Sequence, residues 1–306
     1  MTGGKKIKNN SPFLDRFYEE LEKARRCSPH TLRAYRQNLS AFSDHLTSRG
    51  KSLETADYRD MRDFIYSLHR QGNSPRTVAR KLAAIKSLYR FLQRIGIVPT
   101  NPADLITPPR EKRKLPDLVP LSTISKALDD SNPDSPFELR DCAMLELFFG
   151  TGIRLSELAG LTLGTVRETF IRVRGKGDKT REIPLTKHAA EALKQYIKYR
   201  SYFLKEKKDN GYIFLSRSGR PLTTRDIARR VKLCLNRTDA SSPDHPHALR
   251  HSYATEMLVG GADIRVIKEL LGHSSLNTTQ QYVHVGIERL RDIVKQAHPH
   301  AEKELE

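Results

Sequence analysis

Between His245 and His284 the chain concentrates groups that could do chemistry on an anion. It reads His-Pro-His-Ala-Leu-Arg-His, then Leu-Gly-His, then Thr-Thr-Gln-Gln-Tyr-Val-His-Val. His247 and Arg250 lie three apart, so on a helix they share one face. His273 follows a short amphipathic segment, and Tyr282 lies nine residues beyond it. Cations, imidazoles and a tyrosine recur with no carboxylate cluster among them, a set that suits a negatively charged substrate attacked by a phenol oxygen. Arg154, far upstream in Thr-Gly-Ile-Arg-Leu-Ser-Glu-Leu, joins them. Gly150 and Gly152, placed before an amphipathic helix, predict a tight entry that aims its side chain. Tyr253 is a rival nucleophile, but it shares a helix with Arg250; a nucleophile on a separate, movable helix makes better sense. His245, His247 and His251 have no His-Glu-x-x-His pattern and no cysteine nearby, so no metal and no cofactor are expected.

The composition points the same way. The 306 residues suffice for two domains, and 54 basic against 36 acidic residues leave a net charge of +18. Residues 1–110 carry 21 basic and 10 acidic side chains, and the remainder is also net basic. Such an excess implies a polyanionic partner, most often nucleic acid, met by both halves. Cys27, Cys142 and Cys234 are scattered, which excludes a disulfide framework and a cysteine metal site. No signal peptide or membrane-length apolar run is found, so a soluble cytoplasmic protein with no membrane partner is expected.

The elements that must hold these residues follow from caps and periodicity. After a flexible tail (1–10), four helices are expected in a DNA-binding domain over 11–97. Ser11 caps the first, with Phe13, Phe17 and Leu21 as its stripe. Ser28-Pro29 opens the second, Thr55 the third and Ser74-Pro75 the fourth. Two of these starts echo each other, Ser28-Pro-His-Thr31 and Ser74-Pro-Arg-Thr77. Each offers free backbone N–H groups and hydroxyls suited to a phosphate, with Arg76, Arg80 and Lys81 adding charge. Ser-Pro is also simply a strong cap. Residues 98–118, with five prolines around the basic run that includes Arg110, Lys112 and Arg113, are expected to be an extended linker along a DNA backbone.

A second domain is expected over 119–297. Helices at about 121–129 and 137–149 precede Arg154. A hairpin from Phe170 to Leu185 turns at Gly-Lys176-Gly-Asp-Lys179. One long helix is expected over about 187–207, a short strand at Tyr212–Leu215, and a helix over about 223–236. Asp263 caps a helix with Ile264, Ile267, Leu270 and Leu271 inward, which Gly272 ends. Thr278 and Gln281 form a capping-box pattern that puts Tyr282 in a first helical turn. The last helix, about 286–297, carries Ile287, Leu290, Ile293 and Val294 at a place where an apolar stripe lacks an obvious intramolecular partner. Residues 298–306 are expected to be a tail.

Taken together, these residues resemble the tyrosine site-specific recombinases of the phage integrase family. Arg154 in its box, Lys176 in Gly-Lys-Gly-Asp-Lys, His247 and Arg250 in His-Ala-Leu-Arg-His, His273 in Leu-Gly-His, and Tyr282 match six positions in order, across nearly the whole chain. The short length without insertions looks most like the Xer subgroup. The resemblance implies a mainly α fold: a C-shaped clamp of a four-helix, SAM-like N-terminal domain and an α+β catalytic domain with a small antiparallel sheet.

It also implies cleavage through a 3′-phosphotyrosyl intermediate made by Tyr282. Physical chemistry agrees with the residue types. Arg154 and Arg250 can clamp the non-bridging phosphate oxygens, so no metal is then required. A phenol with a pKa of about 10 needs a base, for which His247 is placed. Lys176, favoured over Lys179 by the family motif, would protonate the departing 5′ oxygen, and His273 would hydrogen-bond the phosphate. Glu157 would orient an arginine or cap the site, while His251 and His284 would serve as packing or supporting groups. By resemblance the partners are double-stranded DNA, a homo- or hetero-tetramer with the C-terminal helix docking in trans (docking onto its own domain is the alternative), and a septal DNA translocase (FtsK-like). The Xer role would be chromosome-dimer resolution at a dif-like site. A phage or mobile-element integrase and a non-catalytic DNA-binding protein are the alternatives.

Overall fold

The computed structural model describes residues 11–25, 27–109, 117–129, 135–175, 180–204, 208–272 and 287–299. The chain divides into two compact units, Met1–Lys114 and Leu115–Glu306.

The first unit is built on α1 (Pro12–Lys23), α2 (Pro29–Thr47), α3 (Tyr58–Arg70) and α4 (Pro75–Arg94). Two starts use the same device. The Ser28 and Ser74 hydroxyls accept from the backbone N–H of Thr31 (3.2 Å) and Thr77 (3.3 Å), with proline at the first helical position. Ser11 occupies the cap position of α1, but its side chain makes no capping bond. The third helix starts later than Thr55. Asp57 accepts from the N–H groups of Arg59 and Asp60, and Asp60 reaches back to the Asp57 N–H (2.9 Å). These two carboxylates hold three backbone donors, whereas the Thr55 hydroxyl accepts from Ser52 upstream. The four helices bury one aromatic core in which Phe42 meets Phe64 and Phe17 meets Phe91 at 5.2 and 5.4 Å.

That core extends beyond the expected boundary. Val98, Ala103 and Ile106 are buried in it, and the Asn101 side chain holds the Ala103 N–H (3.0 Å) and Asp104 (2.8 Å). Residues 98–106 are therefore a folded-back turn.

In the second unit α5 (Leu121–Asp129) leads to α6 (Pro136–Thr151), then α7 (Leu155–Ala159). From Ala143 to Thr151 every residue of α6 is buried, so this helix is the central post of the unit. Strands β1 (Phe170–Arg174) and β2 (Thr180–Pro184) pair antiparallel, with Ile171 opposite Ile183 and Val173 opposite Arg181. The expected helix over 187–207 is broken into α8 (Lys187–Tyr199) and α9 (Ser201–Leu204). At the break, the buried Arg200 guanidinium holds Asp209 (2.6 and 2.8 Å) and the Tyr212 carbonyl (2.8 Å). The expected strand at 212–215 is reduced to single bridges, Thr162 with Tyr212 and Leu215 with Pro221.

The unit closes with α10 (Thr224–Thr238), α11 (Pro246–Val259), α12 (Ile264–Leu271) and α13 (Ile287–Ala297). Ile264, expected inward, is 54% exposed at the first position of α12, while Ile267, Leu270 and Leu271 are buried. The stripe of α13 does have a partner within the chain. Leu290 and Val294 are buried with Tyr253, Met257 and Leu270. His298, expected in a tail, lies 4% exposed, with Nε2 3.1 Å from the Phe149 carbonyl. Gly260 makes room for this end of the chain, because a Cβ there would lie 2.0 Å from the Ala297 carbonyl oxygen. Among the described residues no helix is long and apolar enough to cross a membrane.

Gly152 ends α6 at φ +59°, and a Cβ there would fall 2.5 Å from the Tyr253 ring and 2.8 Å from Leu271. Gly152→Ala combines a left-handed backbone penalty of about 1–2 kcal/mol with overpacking of about 1–3 kcal/mol. Chemical denaturation should therefore read a loss of roughly 2–5 kcal/mol for this one methyl group.

Candidate active site

The buried post α6 sets the position of Arg154. Its left-handed end at Gly152 turns the chain, Ile153 is buried, and Arg154 becomes the N-cap of α7. Glu157, three residues on, takes both the Arg154 backbone N–H (3.0 Å) and its guanidinium (2.9 Å). Glu157 thus both caps the start of α7 and bonds the Arg154 side chain. Arg250 comes from the second turn of α11, whose start is fixed by the ring of His245, with Nδ1 accepting from the Ala248 N–H (3.1 Å).

The two arginines converge. Arg154 donates to the Gly272 carbonyl, and Arg250 donates to the carbonyls of Gly152 and Leu271, each at 2.5 Å. A third guanidinium, Arg181 of β2, donates to the Leu270 carbonyl (3.1 Å) and to both oxygens of Glu157 (2.7 and 2.8 Å). Three successive carbonyls at the C-terminus of α12 each take one arginine. These groups lack helix partners and carry the negative end of the helix dipole, so they hold cations well.

The local charge is strongly positive, with Glu157 the one carboxylate bonded to these guanidinium groups among the described residues. Burial raises the Glu157 carboxyl, but hydrogen bonds from Arg181 and the Arg154 backbone outweigh it and hold it below the usual range. Burial, together with the Arg154 charge, pulls Arg250 down to about 10, so it remains a cation at neutral pH. His247 is exposed one turn from Arg250. Partial desolvation, then the charges of His245, His251, Arg250 and Arg154, lower its pKa, leaving the imidazole free to accept a proton. His251, expected to pack or support the site, is exposed.

Tyr253 is fully buried against Gly152 and His298. Desolvation raises its phenol well above the usual range. Its hydroxyl has no hydrogen-bond partner among the described residues. No substrate can reach it, so it is not a nucleophile.

Of the six expected site residues the structure brings together Arg154, His247 and Arg250. Lys176, His273 and Tyr282 lie outside the described residues, as do Lys179, His284, Arg110, Lys112 and Arg113. In the first unit Ser28, Ser74, Arg76 and Arg80 are exposed, and Thr31, Thr77 and Lys81 are half-buried. Ser28 and Thr31 share a hydroxyl contact of 2.9 Å, and Ser74 and Thr77 one of 3.0 Å. The sequence reasoning missed Arg181. Its signal was available: it alternates with Ile183 along β2, which puts a charge on the inward face.

A cationic cradle fed by two distant arginine boxes, with an exposed neutral imidazole beside it, defines a protein that acts on an anionic ester. The chain belongs to the phage integrase family of tyrosine recombinases, enzymes of site-specific DNA recombination. The model described as "Phage integrase family" matches residues 120–289, and "Phage integrase, N-terminal SAM-like domain" matches residues 14–96. Tyrosine recombinase XerC of Pseudomonas aeruginosa strain PAO1 is 40% identical over 293 residues, covering 95% of each chain. Tyrosine recombinase XerC of Myxococcus xanthus is 39% identical over 297 residues, covering 95% of this chain and 99% of its own. Among solved structures, XerH recombinase bound to palindromic difH substrate shares the fold with a TM-score of 0.69, at 22% identity over 92% of this chain and 84% of that one. A lambda integrase dimer bound to a COC′ core site shares it with a TM-score of 0.66, at 18% identity over 90% of this chain and 98% of that one.

The electrostatics of His247 are open to direct measurement. Two-dimensional NMR of the free protein should give its ring a titration midpoint below 6.5, because every neighbour named above opposes the imidazolium. The base expected from the sequence works when deprotonated, so the low-pH limb of the kcat/KM profile should follow that same midpoint. A midpoint at or above 6.5 would contradict the arrangement.

Proposed function

We propose that this recombinase cuts and rejoins double-stranded DNA with Tyr282 as nucleophile, and that its Xer-type role is to resolve chromosome or plasmid dimers at a dif-like site. The observation that carries the chemistry is the convergence of Arg154 and Arg250 on adjacent carbonyls at the end of α12. Groups so placed present their remaining N–H donors to the two non-bridging oxygens of one phosphodiester, where charge concentrates in the transition state. The Tyr282 oxygen bonds to phosphorus as the bond from phosphorus to the 5′ oxygen breaks. The phenol proton passes to His247, and Lys176 gives one to the 5′ oxygen. The products are a 3′-phosphotyrosine and a 5′-hydroxyl, and the reverse reaction with another strand's hydroxyl rejoins the DNA. Because the phosphotyrosine keeps the bond energy, the cycle needs no ATP. His273 donates a hydrogen bond to the same phosphate.

In the first unit, Ser28, Thr31, Ser74, Thr77, Arg76, Arg80 and Lys81 hold the DNA backbone, and Arg110, Lys112 and Arg113 add charge along it. The XerC relatives at 39–40% identity favour the chromosomal role over that of a mobile-element integrase. Assembly as a tetramer with itself or a paralogue, and activation by a septal DNA translocase, belong to the same proposal. Since α13 is covered within its own chain, docking in trans requires its release from Tyr253 and Met257.

The test uses nicked genomic fragments as suicide substrates, in EDTA, with wild type and Tyr282→Phe, and with a paralogous recombinase added in parallel. Covalent protein–DNA adducts are expected from wild type alone, and sequencing the trapped DNA would give the site. Equal adduct from Tyr282→Phe would assign the nucleophile elsewhere. Tight sequence-specific binding with no adduct, even with the paralogue present, would leave a DNA-binding protein.

A further inference from the structure

We propose that Arg181 is a positioning residue for the phosphate clamp, acting through Glu157 and the C-terminus of α12. The inference rests on the roles given above to Arg154 and Arg250. Arg181 touches neither of them directly; it holds what holds them. Its two terminal nitrogens form a fork on the Glu157 carboxylate (2.7 and 2.8 Å), and its Nε holds the Leu270 carbonyl (3.1 Å). The carboxylate is 3% exposed and Arg181 is 17% exposed, so the pair is shielded from water.

This arrangement determines how much of Arg154 is left for a substrate. A carboxylate has about four acceptor positions, and Arg181 fills two of them. Arg154 then meets Glu157 through a single guanidinium nitrogen at 2.9 Å, while another reaches the Gly272 carbonyl. Without Arg181, the buried carboxylate has one cation left and would draw Arg154 into its own two-pronged pair. The donors that should face a phosphate would then face Glu157. The Leu270 carbonyl would also lose its donor, loosening the helix end on which Arg154 and Arg250 converge. Gly272 fits this packing, since a Cβ there would come within 3.0 Å of the Arg181 guanidinium. Arg181 thus fastens the hairpin strand, α7 and α12 with one side chain, two positions beyond Lys179.

The experiment compares wild type, Arg181→Gln, Arg181→Lys and Arg172→Gln on a nicked duplex carrying the site recovered by covalent capture. Adduct formation is followed in single turnover at saturating protein, and each rate is divided by the fraction of protein competent to bind that duplex. A second duplex carries a methylphosphonate at the scissile position, which removes the negative charge the arginines stabilise. Arg181→Gln should bind DNA within about threefold of wild type and cleave roughly a hundredfold more slowly, the scale of a displaced catalytic group. Lysine, which reaches one carboxylate oxygen but cannot form the fork, should restore part of the rate. On the methylphosphonate the deficit should shrink, because a clamp is needed less. Arg172→Gln breaks only the exposed pair with Glu182 on the same hairpin and should cleave like wild type.

Cleavage by Arg181→Gln at the wild-type rate per competent molecule would overturn the proposal. So would a deficit of equal size on both duplexes, which would mark a purely structural residue. If wild type itself forms no adduct, the phosphotyrosine mechanism fails, and this inference fails with it.

Discussion

Like charges repel, and the catalytic unit nevertheless gathers three guanidinium groups around one carboxylate. Two devices make this tolerable. Glu157 neutralises one charge and is itself held ionised by Arg181 and the Arg154 backbone. The carbonyls of Leu270, Leu271 and Gly272 then supply the negative end of a helix dipole to all three arginines. What remains is a surplus of positive charge, fixed in direction before any substrate arrives. Fixed charge of this kind stabilises a transition state without reorganising during the reaction. The rest of the unit follows from that need. The wholly buried α6 provides a rigid base, Gly152 turns it toward the site, and β2 carries in the third arginine.

The same logic explains the doubled duty of the residues around Gly152. Its left-handed conformation ends α6, its carbonyl accepts from Arg250, and its missing side chain admits the ring of Tyr253. Fold and site share these atoms, so changes here cannot be assigned to stability or to chemistry alone. The neighbouring end of α13 is tied into the same region by His298 and the close approach at Gly260. Any exchange of this helix between protomers must uncover that apolar stripe. It proceeds only if a neighbouring copy offers an equivalent surface in return.

The sequence made some of this legible and hid the rest for physical reasons. Ser-Pro starts and apolar stripes located α2 and α4, because local capping decides such starts. Arg154, His247 and Arg250 stood out through short boxes whose residue types match one chemistry. Thr55 was a plausible start for α3, but a full reciprocal box at Asp57 outweighs a lone hydroxyl. Arg200 broke a helix through partners nine and twelve residues away, which no helical period reveals. The prolines near 98–106 suggested a linker, yet three apolar side chains among them found the first core. Arg181 was overlooked because its partners, Glu157 and Leu270, lie 24 and 89 positions away in the chain.

The grip of Arg154 on the Gly272 carbonyl also sets a limit on where the proposed nucleophile can go. Tyr282 is ten residues beyond that anchored glycine. Ten residues, however they fold, reach at most about 36 Å from their anchor. The clamp proposed to hold the phosphate is therefore also the fixed point from which the reach of Tyr282 is bounded.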